Sequence, residues 1–185
     1  MTRKKEKETS FFGELLSWII YIAIIIVLTF VIVTYVGQRT KVIGSSMEYT
    51  LSDGDQLIVD KISYRFKDPE RFDIIVFPHD EDGTFYIKRI IGLPGETVQV
   101  VDGAVYIDGE LLTTDVYGAE PMEYAWDAEE PITLGEDEYF VLGDNRNHSS
   151  DSRDPDVGLV KKDKIMGRAF FRIYPFDRIG VLKHD

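Results

Sequence analysis

The sequence predicts a mainly β protein: an antiparallel β-rich domain, in curled sheets or a partial barrel, behind one N-terminal transmembrane helix. Three observations predict it. Leu15 to Val36 reads LLSWIIYIAIIIVLTFVIVTYV without a single charge. Two Asp-Gly pairs, Asp102-Gly103 and Asp108-Gly109, separate short β-branched runs, the strongest short-range hairpin signal a sequence carries. No stretch after residue 37 repeats its apolar residues at the helical period.

Residues 1–14 form a cytoplasmic tail, solvated at Lys4–Glu8, and residues 15–37 the transmembrane helix. The uncharged run at about 1.5 Å per residue covers about 33 Å, enough for the hydrocarbon of a bilayer. Trp18, Tyr21 and Tyr35 lie toward its ends, as interfacial aromatics do. A cleavable signal peptide would have a shorter apolar region and a small-residue cleavage site. Thr34-Tyr35-Val36-Gly37-Gln38 offers no A-x-A pattern, so the span is an anchor in a lipid bilayer. Arg3, Lys4, Lys5 and Lys7 precede it, against Arg39 and Lys41 after it, which predicts a single pass with the N-terminus inside. Residues 38–185 then form an extracytoplasmic domain.

Within that domain Gln56–Lys61 and Asp73–Phe77 read as strands, bounded by Asp53-Gly54 and Pro78. Phe85–Ile91 is a third, closing on Gly92-Leu93-Pro94-Gly95, and Val98–Leu112 holds the hairpin pattern. Residues 113–138 carry nine acidic residues, no basic ones, and Pro121 and Pro131, which predicts a surface excursion rather than core. Glu138–Leu142 resumes strand character before a polar loop, Gly143 to Gly158, and apolar runs at Ile165-Met166 and Ala169–Tyr174.

The domain holds 17 of the 21 Lys+Arg and 30 of the 33 Asp+Glu, a net charge of −13 that argues against nucleic acid as a partner. With no cysteine, disulfides, thiol nucleophiles and thiolate zinc sites are excluded. His79, His148 and His184 are scattered without ligand spacing, so neither a metal nor a cofactor is indicated.

On a strand, Lys88 shares a face with Tyr86 and Ile90, and Arg89 with Phe85, Ile87 and Ile91, so one of the two cations is poorly hydrated. A buried lysine loses its charge readily and becomes a proton acceptor; an edge-strand lysine snorkelling to water is the alternative. Ser46, in the Gly44-Ser45-Ser46 turn, is the best nucleophile candidate, because a serine hydroxyl needs a neighbouring base and Lys88 is a plausible one. Ser149, His148 and Asp151 crowd one polar loop, but triad members come from separate elements, which rules out a triad there.

Together these segments resemble the type I signal peptidases, membrane-bound serine–lysine endopeptidases. Ser46-Met47 with Thr50-Leu51 is similar to the family's nucleophile box, and Gly54-Asp55 with the following strand to the next. Arg71–Phe77 and Tyr86–Glu96 match the general-base box, and Gly143-Asp144-Asn145-Arg146 with Ser149, Asp151, Ser152 and Arg153 the last. The resemblance implies Ser46 as nucleophile, Lys88 as general base and Ser149 as the residue that orients the lysine ammonium. It also implies a supporting Asp151–Arg153 pair, with Asp144 and Arg146 bracing the same loop. Val42, Met47, Leu51, Val76, Tyr86 and Ile87 would line shallow pockets for small side chains, and the substrate would bind as an added strand. The implied partners are the signal peptides of exported preproteins, and the implied location is the outer face of a bacterial cytoplasmic membrane.

Two positions depart from the family pattern. Tyr49 stands where proline is usual, and Gly44 where some members carry an oxyanion-stabilising serine, which leaves mainly the backbone N–H of Ser46. Rival readings are a non-catalytic surface or pilus-assembly module, whose relatives typically lack the serine or the lysine, and a self-cleaving repressor-like domain, which the membrane span and acidity disfavour.

Overall fold

In the computed structural model, which describes residues 11–31, 37–79 and 84–182, the chain divides into two units, Met1–Val36 and Gly37–Asp185. The first contains helix α1 (Phe11–Val31). It begins earlier than the expected boundary at Leu15, and Glu14 in its first turn complements the helix dipole. Between Gly13 and Phe30 the mean hydropathy is 2.2 and no residue is buried, so α1 is long and apolar enough to cross a bilayer. The remainder of the expected span, residues 32–36, lies outside the described residues.

The second unit contains twelve strands among the described residues: β1 (Gly37–Lys41), β2 (Gln56–Asp60), β3 (Ile74–Pro78), β4 (Phe85–Gly92), β5 (Thr97–Val101), β6 (Ala104–Ile107), β7 (Glu110–Leu111), β8 (Ile132–Thr133), β9 (Glu138–Leu142), β10 (Val160–Lys161), β11 (Gly167–Tyr174) and β12 (Gly180–Val181). They form a large sheet in the order β1-β2-β11-β3-β4-β9-β10, with β12 on β11, and a small one in the order β7-β6-β5-β8. Every pairing is antiparallel. The fold is thus mainly antiparallel β behind one apolar helix.

Both Asp-Gly pairs turn hairpins. Val101 pairs with Ala104 across Asp102 (φ 49°) and Gly103 (φ 77°), and Ile107 with Glu110 across Asp108 (φ 50°) and Gly109 (φ 82°). Two left-handed residues in succession give a turn whose twist matches the flanking strands.

On β3, Ile74 and Val76 face one apolar cluster, with Val42, Met47, Leu51, Leu57, Val59, Ile87 and Ala169, while Ile75 and Phe77 face another, with Ile90, Tyr139, Val141 and Val160. Both faces of the central strands are therefore covered, which explains the unbroken apolar run at Ile74–Phe77 where one-sided burial would have alternated. A third cluster joins Val98, Val100 and Val105 of the small sheet to Ile91, Phe140 and Leu142 of the large one.

Residues 113–138 differ from the expected surface excursion. Met122, Ala128 and Leu134 are buried in that third cluster, and β8 pairs with β5. The apolar anchors are spaced among acidic residues most of which stay exposed, so the segment lies over the small sheet as a fitted cover.

Candidate active site

Strand β4 delivers two cations side by side. Lys88 lies opposite Ile75 and Arg89 opposite Ile74 in the β3 register, and both are buried, at 3% and 0% exposure. The sequence pattern left room for only one poorly hydrated cation; the structure buries both, because the sheet is covered on each face.

Ser46 reaches Lys88 from a turn built after β1. Val42 is locked to the next segment by Val42 N–H to Asp55 C=O (2.8 Å) and Gly54 N–H to Val42 C=O (3.0 Å). Asp55 is buried, forms an ion pair with Arg172 (3.1 Å), and accepts hydrogen bonds from Arg178 (2.9 Å) and the Ser52 N–H (3.1 Å). Gly44 then takes φ 90°, its N–H donating to Asp53 Oδ1 at 2.9 Å. The Met47 carbonyl closes the turn by accepting the N–H groups of Thr50 (3.1 Å) and Leu51 (2.7 Å), while the Met47 and Leu51 side chains sink into the core at 1% and 0% exposure.

The result is a distance of 2.8 Å between Lys88 Nζ and Ser46 Oγ, across 42 residues of sequence. Burial lowers the lysine pKa from 10.5 to about 8, against the opposing pull of the Asp151 and Asp144 carboxylates. The Tyr86 ring lies 4.8 Å from Nζ on the same face of β4.

The loop from Gly143 to Arg153 closes over this pair. A side chain at Gly143 would put its Cβ 2.4 Å from the Ser46 carbonyl oxygen and 2.3 Å from Ser149 Oγ, so only glycine lets the two backbones meet. Asn145 completes the seam, with its N–H on the Ser46 carbonyl (3.1 Å) and Nδ2 on the Ser45 carbonyl (3.1 Å). Asp151 accepts Arg153 Nε (2.9 Å) and Nη2 (3.0 Å), and its Oδ2 also takes the Gly143 N–H at 3.1 Å. Asp144 and Arg146 do not pair with each other. Asp144 is gripped by Arg89 through two bonds of 2.8 and 2.7 Å, and Arg146 by Asp115 through two of 2.7 Å.

Two expected roles meet a different geometry. Ser149 Oγ does not bond the lysine: it is buried against Gly143 with no hydrogen-bond partner among the described residues, while Nζ is engaged with Ser46. Of the six pocket candidates, Val42, Met47, Leu51, Val76 and Ile87 share one buried cluster and are nearly inaccessible. Tyr86 lies on the Lys88 face of β4, opposite to Ile87, and stacks on His79 with centroids 4.1 Å apart.

The residues that sequence reasoning passed over are Asp115 and Tyr117. Tyr117 lies under the Arg89 guanidinium at 3.5 Å. Both belong to the acidic segment, where nothing local distinguishes them from their exposed neighbours.

Comparison with known proteins gives the family. The family model described as "Signal peptidase, peptidase S26" matches residues 15–174. The chain belongs to the signal peptidases of family S26. It is 43% identical over 171 residues to a probable signal peptidase I-2 of Synechocystis sp., covering 86% of this chain and 73% of that one. Signal peptidase I of Leptolyngbya laminosa is 43% identical over 169 residues, covering 87% and 80%. Signal peptidase I of Bacillus licheniformis is 36% identical over 181 residues, covering 95% and 97%. The chain is thus a serine endopeptidase of the signal peptidase I kind, with an N-terminal helix fit for a membrane anchor.

Proposed function

We propose that Ser46 is the nucleophile and Lys88 the general base of a signal peptidase that cuts signal peptides from exported preproteins after small residues. The observation that carries this reading is a buried amine, its pKa drawn down to about 8, lying 2.8 Å from a hydroxyl on a rigid turn. Neutral Lys88 takes the Ser46 proton as Oγ attacks the scissile carbonyl, and the resulting ammonium returns it to the leaving amine. The acyl-enzyme is then hydrolysed by a water that gives its proton to the same amine. The developing oxyanion is met by the Ser46 N–H, to which Gly44 adds no hydroxyl.

The substrate's main chain has a strand edge to join. Pairing of β4 with β9 starts only at Arg89, so among the described residues Phe85–Lys88 is flanked by β3 alone. Val42, Met47, Leu51, Val76 and Ile87 are packed together and nearly inaccessible, which leaves little depth for a substrate side chain and suits small ones before the cut. Anchoring supports the chemistry, since a signal peptide lodged in the same bilayer meets the site at raised effective concentration. The basic residues before the apolar span support a reading with the N-terminus in the cytoplasm and the site on the outer face of a bacterial cytoplasmic membrane.

The test is cleavage of a preprotein bearing an A-x-A site by the detergent-solubilised chain. Ser46→Ala and Lys88→Ala are each expected to lose cleavage; retained activity in either contradicts the assignment.

A further inference from the structure

We propose that residues 115–127, the first half of the acidic segment, form a strap that holds the Gly143–Arg153 loop in register with Lys88, with Asp115 and Tyr117 as its positioning residues. The proposal rests on the Ser46–Lys88 reading above. Its basis is that each of the three guanidinium–carboxylate groups of the Gly143–Arg153 loop is covered by a different part of this strap. Asp115 forks onto Arg146, both side chains buried at 7% and 5% exposure. Tyr117 presents its ring to Arg89 at 3.5 Å and packs against Phe72 at 5.2 Å, backing the Arg89–Asp144 pair. The Tyr124 carbonyl accepts Arg153 Nη1 at 3.0 Å, the Asp127 N–H donates to the Arg153 carbonyl at 3.2 Å, and the Trp126 ring lies 5.2 Å from the same guanidinium.

Two further contacts fix the register. Asn147 bridges to the strap with Nδ2 on the Pro121 carbonyl (3.1 Å) and Oδ1 on the Glu123 N–H (2.9 Å). At Gly118 a Cβ would fall 2.9 Å from the Arg146 guanidinium carbon, so the strap backbone lies directly on that group. Contacts of this density on three cations exceed what a cover over the small sheet requires, for which Met122, Ala128 and Leu134 suffice.

The charge arrangement shows what the strap accomplishes. Asp115 neutralises Arg146, which leaves Asp144 to Arg89 and Asp151 to Arg153. Without Asp115, Arg146 is a buried cation whose loop offers only those two carboxylates, already taken, and re-pairing shifts the loop. The groups facing Lys88 are Asp144 and Asp151 with their arginines, Ser46 on its turn and the Tyr86 ring on its own strand, while Ile75 opposite is apolar. Burial is the dominant influence on Lys88, so a loosened loop that admits water moves its pKa up toward the ordinary lysine value.

The experiment compares the full chain with Asp115→Asn, Asp115→Glu and Tyr117→Leu in the cleavage assay, scaled to the folded fraction by circular dichroism, with Lys88→Ala alongside. The expected result for Asp115→Asn and Tyr117→Leu is a kcat lowered about tenfold, with KM changed less than about twofold. The acid limb of their kcat profile moves to higher pH by about half a unit or more, and Asp115→Glu restores most of the rate. A lower melting temperature with kcat and the acid limb unchanged means a merely structural role and overturns the proposal; if Asp115→Asn does not fold, Tyr117→Leu decides by the same readings. Cleavage retained by Lys88→Ala overturns the base assignment and the strap with it. An inactive Lys88→Ala beside an unaltered Asp115→Asn and Tyr117→Leu overturns the strap alone.

Discussion

Lys88 and Arg89 are neighbours on one strand and equally buried, yet their surroundings solve the problem of a buried cation in opposite ways. Arg89 has its charge met by two bonds from Asp144, the Phe72 carbonyl at 2.8 Å and the face of Tyr117. Among the described residues no carboxylate stands within ion-pair distance of Lys88 Nζ, whose bonded neighbour is a serine hydroxyl. A guanidinium cannot shed its proton inside a protein, so it must be paired; an ammonium can, so it can be left unpaired and put to use. Burial is shared, and pairing separates the structural cation from the reactive one.

The largest effect is expected from exchanging these characters. Lys88→Arg keeps a cation beside Ser46 but cannot accept its proton, and cleavage should fall at least about a thousandfold, to the level of Lys88→Ala. Measurable turnover by the arginine variant in the neutral range would break the comparison. Next is Arg89→Ala, which leaves Asp144 charged, buried and alone. Its cost should be about 3–5 kcal/mol of unfolding free energy, read from denaturant titration of the detergent-solubilised chain.

Lys88→Met sharpens the contrast from the other side. Between about 8 and 10.5 the unfolded chain binds the Lys88 proton more tightly than the folded one, so stability rises with pH across that window and the burial cost is fully present below it. Removing the amine should therefore stabilise the inactive protein at pH 7 by about 1–3 kcal/mol, and an unchanged or lower midpoint would count against a strained lysine.

The smallest effect concerns Tyr49. It holds φ 78° in the turn that carries Ser46, a conformation that strains a residue with a Cβ and that proline cannot adopt. Tyr49→Gly should gain about 0.5–1 kcal/mol and Tyr49→Pro should lose stability, both by chemical denaturation.

Much of the fold was legible because its signals are local. The uncharged span, the Asp-Gly hairpins and the apolar runs of β2, β3, β4, β9 and β11 follow from patterns a few residues long. Strand β1, with the polar sequence GQRTK, was not legible, since it is a strand only because β2 offers it an edge. The two-residue strands β8, β10 and β12 exist by the same courtesy of their neighbours. For the site, the pattern placed Lys88 and Arg89 on opposite faces, but which one is paired depends on Asp144, 55 residues away from Arg89. The residue pattern offered Lys88 as a plausible base for Ser46 and the resemblance implied the pairing, but no sequence signal marked Asp115 or Tyr117, because long-range contact leaves no local trace.

The central claim is that the Lys88 amine gives up its proton near neutral pH while Arg89 keeps its charge. It is tested most directly by following the Lys88 side-chain nitrogen of the detergent-solubilised protein by NMR as a function of pH, assigned by its absence in Lys88→Met. A midpoint at about 8 is the result this account predicts. A midpoint at the ordinary lysine value near 10.5 would contradict it.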